Sequence, residues 1–246
     1  MRARRGFWLA LGLSAVLLAA TSLGASASGI YPSATTGYDV SYPDCGAALP
    51  SGGAFGIVGA TGGRAYTANS CFATELAWAA ALPNPASAYM NLNYPVGSTA
   101  SNGATGPDGT CTHRDKACVA YNYGYNAAAY AAGLVPSGTT ISTWWLDIET
   151  SNSWSKNTAL NLDVIDGAIY YWQTHNATVG IYSTAGMWKT ITGSAQITGS
   201  SQQVVPDWVA GGSATAPSAL CSASFSGGPV QLVQYASNGF DGDYGC

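Results

Sequence analysis

Charge is scarce in this chain. Of its 246 residues only 8 are Lys or Arg and 12 are Asp or Glu, giving 8% charged residues and a formal net charge of −4. So few cations cannot form the basic stripe that neutralises a phosphate backbone, which excludes nucleic acid as a partner. Disorder requires low hydrophobicity with high net charge, whereas this chain is 47% hydrophobic and 11% aromatic. Histidine occurs only at His113 and His175 and there is no CxxC pair, so a zinc site lacks ligands. G-x-S-x-G, H-E-x-x-H, a P-loop and a G-x-G-x-x-G following a strand are also absent, which removes the corresponding serine, metal and nucleotide chemistries. No metal and no cofactor is expected.

Long apolar runs are missing after the first 20 residues. At the start, Arg2, Arg4 and Arg5 precede an apolar run from Phe7 to Ala20, followed by the small-residue site Ala25-Ser26-Ala27. That pattern predicts a secretory signal over residues 1–27, too short to span a bilayer, and Arg4-Arg5 also permits twin-arginine export. Residues 28–246 are then expected to form one secreted, monomeric domain with no membrane contact. Loss of the signal removes three arginines and no acids. The remaining surface is dominated by Ser, Thr, Asn, Gln, Gly and Tyr, so recognition should rest on shape, aromatic rings and neutral hydrogen bonds.

All six cysteines follow the signal, and an even count in an exported chain reads as disulfides. Of the 15 possible pairings, sequence proximity favours Cys45–Cys71, Cys111–Cys118 and Cys221–Cys246.

Apolar patterning predicts strands over 37–41, 55–60, 86–93, 142–150, 179–183, 204–210 and 229–236. Helices are predicted over 71–82, 121–133 and 157–176. The last carries Leu160, Val164, Ala168 and Trp172 on one stripe, with Asn157 or Thr158 as its cap. Gly133 is expected to end the second helix. The Gly/Ser/Thr-rich segment 96–119 reads as a surface loop stapled by its own disulfide. Alternating βα units imply a mainly parallel sheet covered by helices. Seven strands in a chain of this size imply an α/β fold of TIM-like (β/α)-barrel type, whose working residues sit at the C-terminal strand ends.

The strand ends carry acids. In Trp144-Trp145-Leu146-Asp147-Ile148-Glu149 the period of two puts Trp145, Asp147 and Glu149 on one face, with neighbouring acids roughly 6.6 Å apart at Cα. Asp39 sits late in the first strand, and Asp241 and Asp243 follow the last. Crowded carboxylates raise one another's pKa. A proton-bearing acid beside an ionised one is the pairing that glycosidic cleavage uses. Only two glutamates exist: Glu75, expected on the polar side of a helix, and Glu149. Asp44, Asp108, Asp115, Asp163, Asp166 and Asp207 read as solvated turn, helix-surface or loop positions. Tyr89, Trp145, Trp154, Tyr182, Trp188 and Trp208 lie near strand ends, where rings can stack on sugars or simply fill the core.

Taken in order, these motifs resemble glycoside hydrolase family 25, the lysozymes (muramidases) of irregular (β/α)-barrel fold, in a diverged, secreted, actinobacterial-type branch. Gly37-Tyr38-Asp39-Val40-Ser41 resembles the family's opening G-x-D-V-S, Ala88-Tyr89 the end of its third strand, and Leu146-Asp147-Ile148-Glu149 its D-x-E strand. Gly180-Ile181-Tyr182-Ser183 and Asp207-Trp208-Val209-Ala210 resemble later strands. Gln234-Tyr235-Ala236-Ser237 and Phe240-Asp241-Gly242-Asp243 resemble its closing motifs, with Met90 standing where the family has His.

The resemblance implies Glu149 as general acid, with Asp147, Asp39 and Asp241 completing an acidic cluster, and the closing motif leaves Asp243 as an alternative to Asp241. It implies cleavage, without a cofactor, of the β-1,4 bond after N-acetylmuramic acid in peptidoglycan. Tyr89, Trp145, Tyr182, Trp208 and Gln234 are the expected substrate contacts. The competing expectation is a catalytically weak or inactive glycan-binding, wall-associated protein on the same barrel.

Overall fold

The computed structural model describes residues 29–197, 204–237 and 239–246. The expected signal segment, 1–27, lies outside the described residues. Eight strands close into a barrel: β1 (Thr36–Val40), β2 (Gly56–Gly59), β3 (Ser87–Asn91), β6 (Thr143–Asp147), β7 (Thr178–Ser183), β8 (Asp207–Val209), β9 (Val230–Ser237) and β10 (Phe240–Gly245). A separate hairpin is made by β4 (Thr105–Gly106) and β5 (Gly109–Thr110). Four helices cover the barrel: α1 (Phe72–Ala80), α2 (Lys116–Gly133), α3 (Thr158–Thr174) and α4 (Ala185–Thr192). Around the barrel the order is β1-β10-β9-β8-β7-β6-β3-β2. Every pairing is parallel except those of β10, which runs antiparallel to both β9 and β1.

The eighth strand, β10, corrects the sequence reading, which ended the sheet at β9 and left Asp241 and Asp243 beyond it. The chain reverses through a turn at Gly239 (φ +88°), so β10 starts at the rim where the parallel strands end. Helix α4 is a second addition. The segment 96–119 is not a plain loop: it holds a 3₁₀ turn (Gly97–Gly103), the β4–β5 hairpin and the first turn of α2. That helix starts at Lys116, with Asp115 accepting from the Cys118 backbone N–H, and Gly133 is its last helical residue rather than a left-handed cap.

The expected cap of α3 is Asn157, whose side chain accepts from the Ala159 N–H. The buried stripe of α3 is Val164, Ile165, Ala168, Ile169 and Trp172. Trp172 stacks on Trp144 of β6 with centroids 4.2 Å apart. Helices α2 and α3 touch backbone to backbone, because a Cβ on Gly124 would stand 1.8 Å from the Val164 carbonyl oxygen. All three expected disulfides are present.

The sheet separates two cores. Trp144, Leu146 and Ile148 face the helices, with Val58, Ile165 and Ile181. The barrel interior is filled by Tyr31, Phe55, Ile57, Trp145, Trp208 and Leu232. The alternation read from residues 144–149 is therefore realised, and it points Asp147 inward. Gly180 of β7 makes room for Trp145, whose ring atom would lie 2.3 Å from a Cβ there. The indole N–H of Trp145 donates to the Tyr31 hydroxyl at 3.0 Å, which in turn donates to Ser87 at 2.7 Å. Among the described residues, no helix is long and apolar enough to cross a membrane.

Candidate active site

A cavity of about 530 Å³ opens at the C-terminal rim of the parallel strands. Its walls include Asp39, Asp44, Asp147, Glu149 and Asp241, together with Tyr89, Tyr182, Trp208 and Gln234. Three distant stretches of sequence thus bring their acids to one mouth, because β1 and β6 end, and β10 begins, at the same rim.

Asp39 stands on β1, only 7% exposed. Its Oδ2 accepts from Gln234 Nε2 at 3.0 Å, and Gln234 Oε1 accepts from the Tyr182 hydroxyl at 2.8 Å. Burial, and then the charge of Asp241, push the Asp39 pKa up to about 7. Asp147 closes β6 and is equally hidden; its Oδ2 accepts from Asn91 Nδ2, while Oδ1 has no hydrogen-bond partner. Burial, followed by repulsion from Glu149 and Asp39, holds its pKa well above the carboxylate range.

Glu149 lies two residues past Asp147, half-buried on the open side. The Trp154 indole N–H donates to its backbone carbonyl at 2.7 Å, and Ser151 Oγ donates to Oε2 at 3.2 Å. Asp241 is exposed at the rim, with a pKa raised by partial burial and by Asp44. The site thus sets two buried acids, Asp39 and Asp147, whose pKa values desolvation raises, beside two that keep contact with solvent, Glu149 and Asp241.

Asp243 is one strand repeat below Asp241 and fully buried. Its oxygens have no close hydrogen bond, and it faces Asp39 and the Trp208 indole. Burial, then the Asp39 charge, push its pKa well above the usual carboxylate range. Between the two closing aspartates, Asp241 lines the cavity and Asp243 does not.

Trp208 forms part of the floor, edge-on to Tyr182 at 4.7 Å and to Tyr89 at 6.1 Å. Trp145, expected as a substrate contact, is corrected to a core residue. It shares a face with Asp147 but lies one layer deeper, fully buried and outside the cavity. Trp188 is also core, its indole donating to the Ala195 carbonyl. Met90, which stands where the resembled motif has His, points outward into the helix-side core, so this departure leaves the cavity lining unchanged.

Three acids depart from their expected solvated positions. Asp44 reaches the cavity wall from a 3₁₀ turn (Tyr42–Asp44) and accepts from the Ser41 N–H at 2.9 Å. Asp207 is fully buried and accepts from Ser224 Oγ, Phe225 N, Ser226 N and Ser226 Oγ. Glu75 is 2% exposed, beneath the 60–70 loop, and accepts from Asn69 Nδ2 at 2.6 Å. Sequence spacing also missed Asn91, whose inward position follows from its register with Asp147. Among the described residues, no group of His, Cys, Asp or Glu could hold a metal ion.

Fold and site together define a lysozyme-like, irregular (β/α) barrel with an acid-lined mouth. A family model described as lysozyme-like protein 1 matches residues 120–226, a span that contains Asp147 and Glu149. In three dimensions the chain is similar to a muramidase from Trichobolus zukalii, with TM-score 0.57 and 18% identity over 87% of this chain and 94% of that one. It is similar to the bacterial lysozyme from Streptomyces coelicolor, with TM-score 0.57 and 20% identity over 87% and 92%. It is also similar to a family GH25 lysozyme from Aspergillus fumigatus, with TM-score 0.53 and 16% identity over 86% and 94%. Among curated proteins none matches the chain in sequence. The resemblance to glycoside hydrolase family 25 holds for the architecture: this chain has the family-25 lysozyme fold.

Proposed function

We propose that the protein is a secreted glycoside hydrolase acting on a cell-wall glycan, cleaving the β-1,4 bond after N-acetylmuramic acid in peptidoglycan. The observation that carries this reading is the convergence of Asp39, Asp147, Glu149 and Asp241 on one cavity with aromatic walls. Glu149 lines the cavity two residues past the buried Asp147 and keeps contact with solvent. It protonates the leaving oxygen as the glycosidic bond breaks, a water adds at the freed sugar carbon, and Asp147, Asp39 and Asp241 in their ionised forms stabilise positive charge there. Tyr89, Tyr182 and Trp208 supply ring faces and edges for the sugars, and Gln234 adds an amide. The volume suits a few sugar units rather than a whole strand. Three disulfides support an oxidising, exported destination.

The test is incubation of wild type and Glu149→Gln with purified peptidoglycan, followed by mass spectrometry of the released fragments. Wild type should yield fragments ending in reducing N-acetylmuramic acid, and the variant should lose about 10²–10⁴-fold in rate. Equal rates for the two proteins would overturn the assignment of Glu149. Sedimentation with the wall polymer and no fragments from wild type would favour a glycan-binding protein on the same barrel.

A further inference from the structure

Asn91 ends β3 in direct register with Asp147, which ends β6, and both side chains turn into the barrel. Behind Asn91 stands Thr61, just past β2. Thr61 Oγ1 accepts the Asn91 backbone N–H at 2.9 Å and donates its own proton to Asn91 Oδ1 at 2.7 Å. These bonds fix the amide: its oxygen faces Thr61 and its NH₂ faces Asp147 Oδ2. All three residues are buried, and Thr61 does not line the cavity.

An amide N–H donates and cannot accept. Asp147 Oδ2 must therefore be a bare oxygen whether the carboxyl is charged or neutral. A proton on Asp147 has one address, Oδ1, the oxygen without a partner inside the protein. We propose that Asn91, oriented by Thr61, is a positioning residue that fixes the Asp147 proton on Oδ1, away from β3, so that Asp147 and Glu149 work as a pair with a defined proton location. The charged groups that act on Asp147 are Glu149 and Asp39, and the neutral hydroxyls of Tyr89 and Tyr182 share its surroundings. Against the repulsion of those two carboxylates, the Asn91 N–H favours the ionised form of Asp147.

This assignment deepens the proposed hydrolase reading, but its test does not depend on turnover. The Asp147 carboxyl is followed by carbon-13 NMR through a pH titration in wild type, Asn91→Leu, Thr61→Val and Thr61→Ser. Removing the donor should move the Asp147 midpoint upward by about one pH unit in Asn91→Leu, the range of a charge-assisted hydrogen bond. Thr61→Val, which keeps the side-chain shape, should move it in the same direction. Thr61→Ser, which keeps the hydroxyl, should restore the wild-type midpoint.

Where wall-degrading activity is measured, the acid limb of kcat/KM should shift upward with the same variants. A purely structural role would lower Tm and leave the midpoint in place. An unchanged midpoint in folded Asn91→Leu and Thr61→Val would overturn the inference. Shifted midpoints in a protein that releases no fragments would sink the hydrolase reading and leave this one standing.

Discussion

Asp39 of β1 and Asp241 of β10 are direct cross-strand partners in an antiparallel pair. Like charges placed so are destabilising, and here one partner is buried while the other meets solvent. The arrangement helps push the Asp39 pKa up. It persists because β10 is held on both sides, by β9 and by β1, and at its end by Cys221–Cys246.

The first prediction concerns pH. Asp39 is raised to about 7, and Asp147 and Asp243 are raised well above the ordinary carboxylate value. The folded state therefore binds more protons than the unfolded chain above the ordinary carboxylate pKa near 3.9. Stability must then fall as pH rises from about 4 through 7 and beyond. Thermal unfolding should give the highest Tm in mildly acidic buffer. Asp241→Asn removes the repulsion, lowers the Asp39 pKa and should raise Tm at pH 7–8 by a few degrees, with little gain at pH 4. A Tm that climbs from pH 4 to pH 8 in wild type would contradict the burial of these acids.

The second concerns Asp207. Its buried carboxylate receives four hydrogen bonds from the 224–226 segment. Asp207→Ala leaves buried donors unpaired at about 1–3 kcal/mol each. The expected loss is about 3 kcal/mol or more, read as a Tm drop of roughly 6–12 °C. A drop of a degree or two would mean the segment is not anchored by this residue.

The third separates two disulfides. Cys221–Cys246 joins residues 25 apart and Cys111–Cys118 residues only 7 apart. Restriction of the unfolded chain grows with loop length. Replacing both members of the longer pair by Ser should cost about 2–4 kcal/mol, and more than the same change in the shorter pair, because it also releases the end of β10. Equal losses in guanidinium unfolding would show that chain restriction does not set the difference.

Part of the site was legible in the residue pattern. The alternation in 144–149 separated Trp144, Leu146 and Ile148 from Trp145, Asp147 and Glu149, because strand side chains alternate faces whatever the fold. The same pattern could not tell the cavity from the core. Trp145 and Asp147 share a face, but two residues along a tilted strand carry one to the rim and the other into the packed interior. The Asn238-Gly239 pair was the readable sign of a hairpin, and with it an eighth strand whose start, not its end, reaches the rim.

Order along the chain dictated most of the local elements and which acids stand at strand ends, since these depend on neighbours a few residues apart, and proximity in sequence pointed to the cysteine pairs. Closure of the barrel decided the rest: that Asp241 reaches the cavity while Asp243 sinks beneath it, that Glu75 and Asp207 are sealed in, and that Thr61 and Asn91 lie behind Asp147. Burial and partnership between residues far apart are set by how strands register around a closed sheet, and no local spacing records that register.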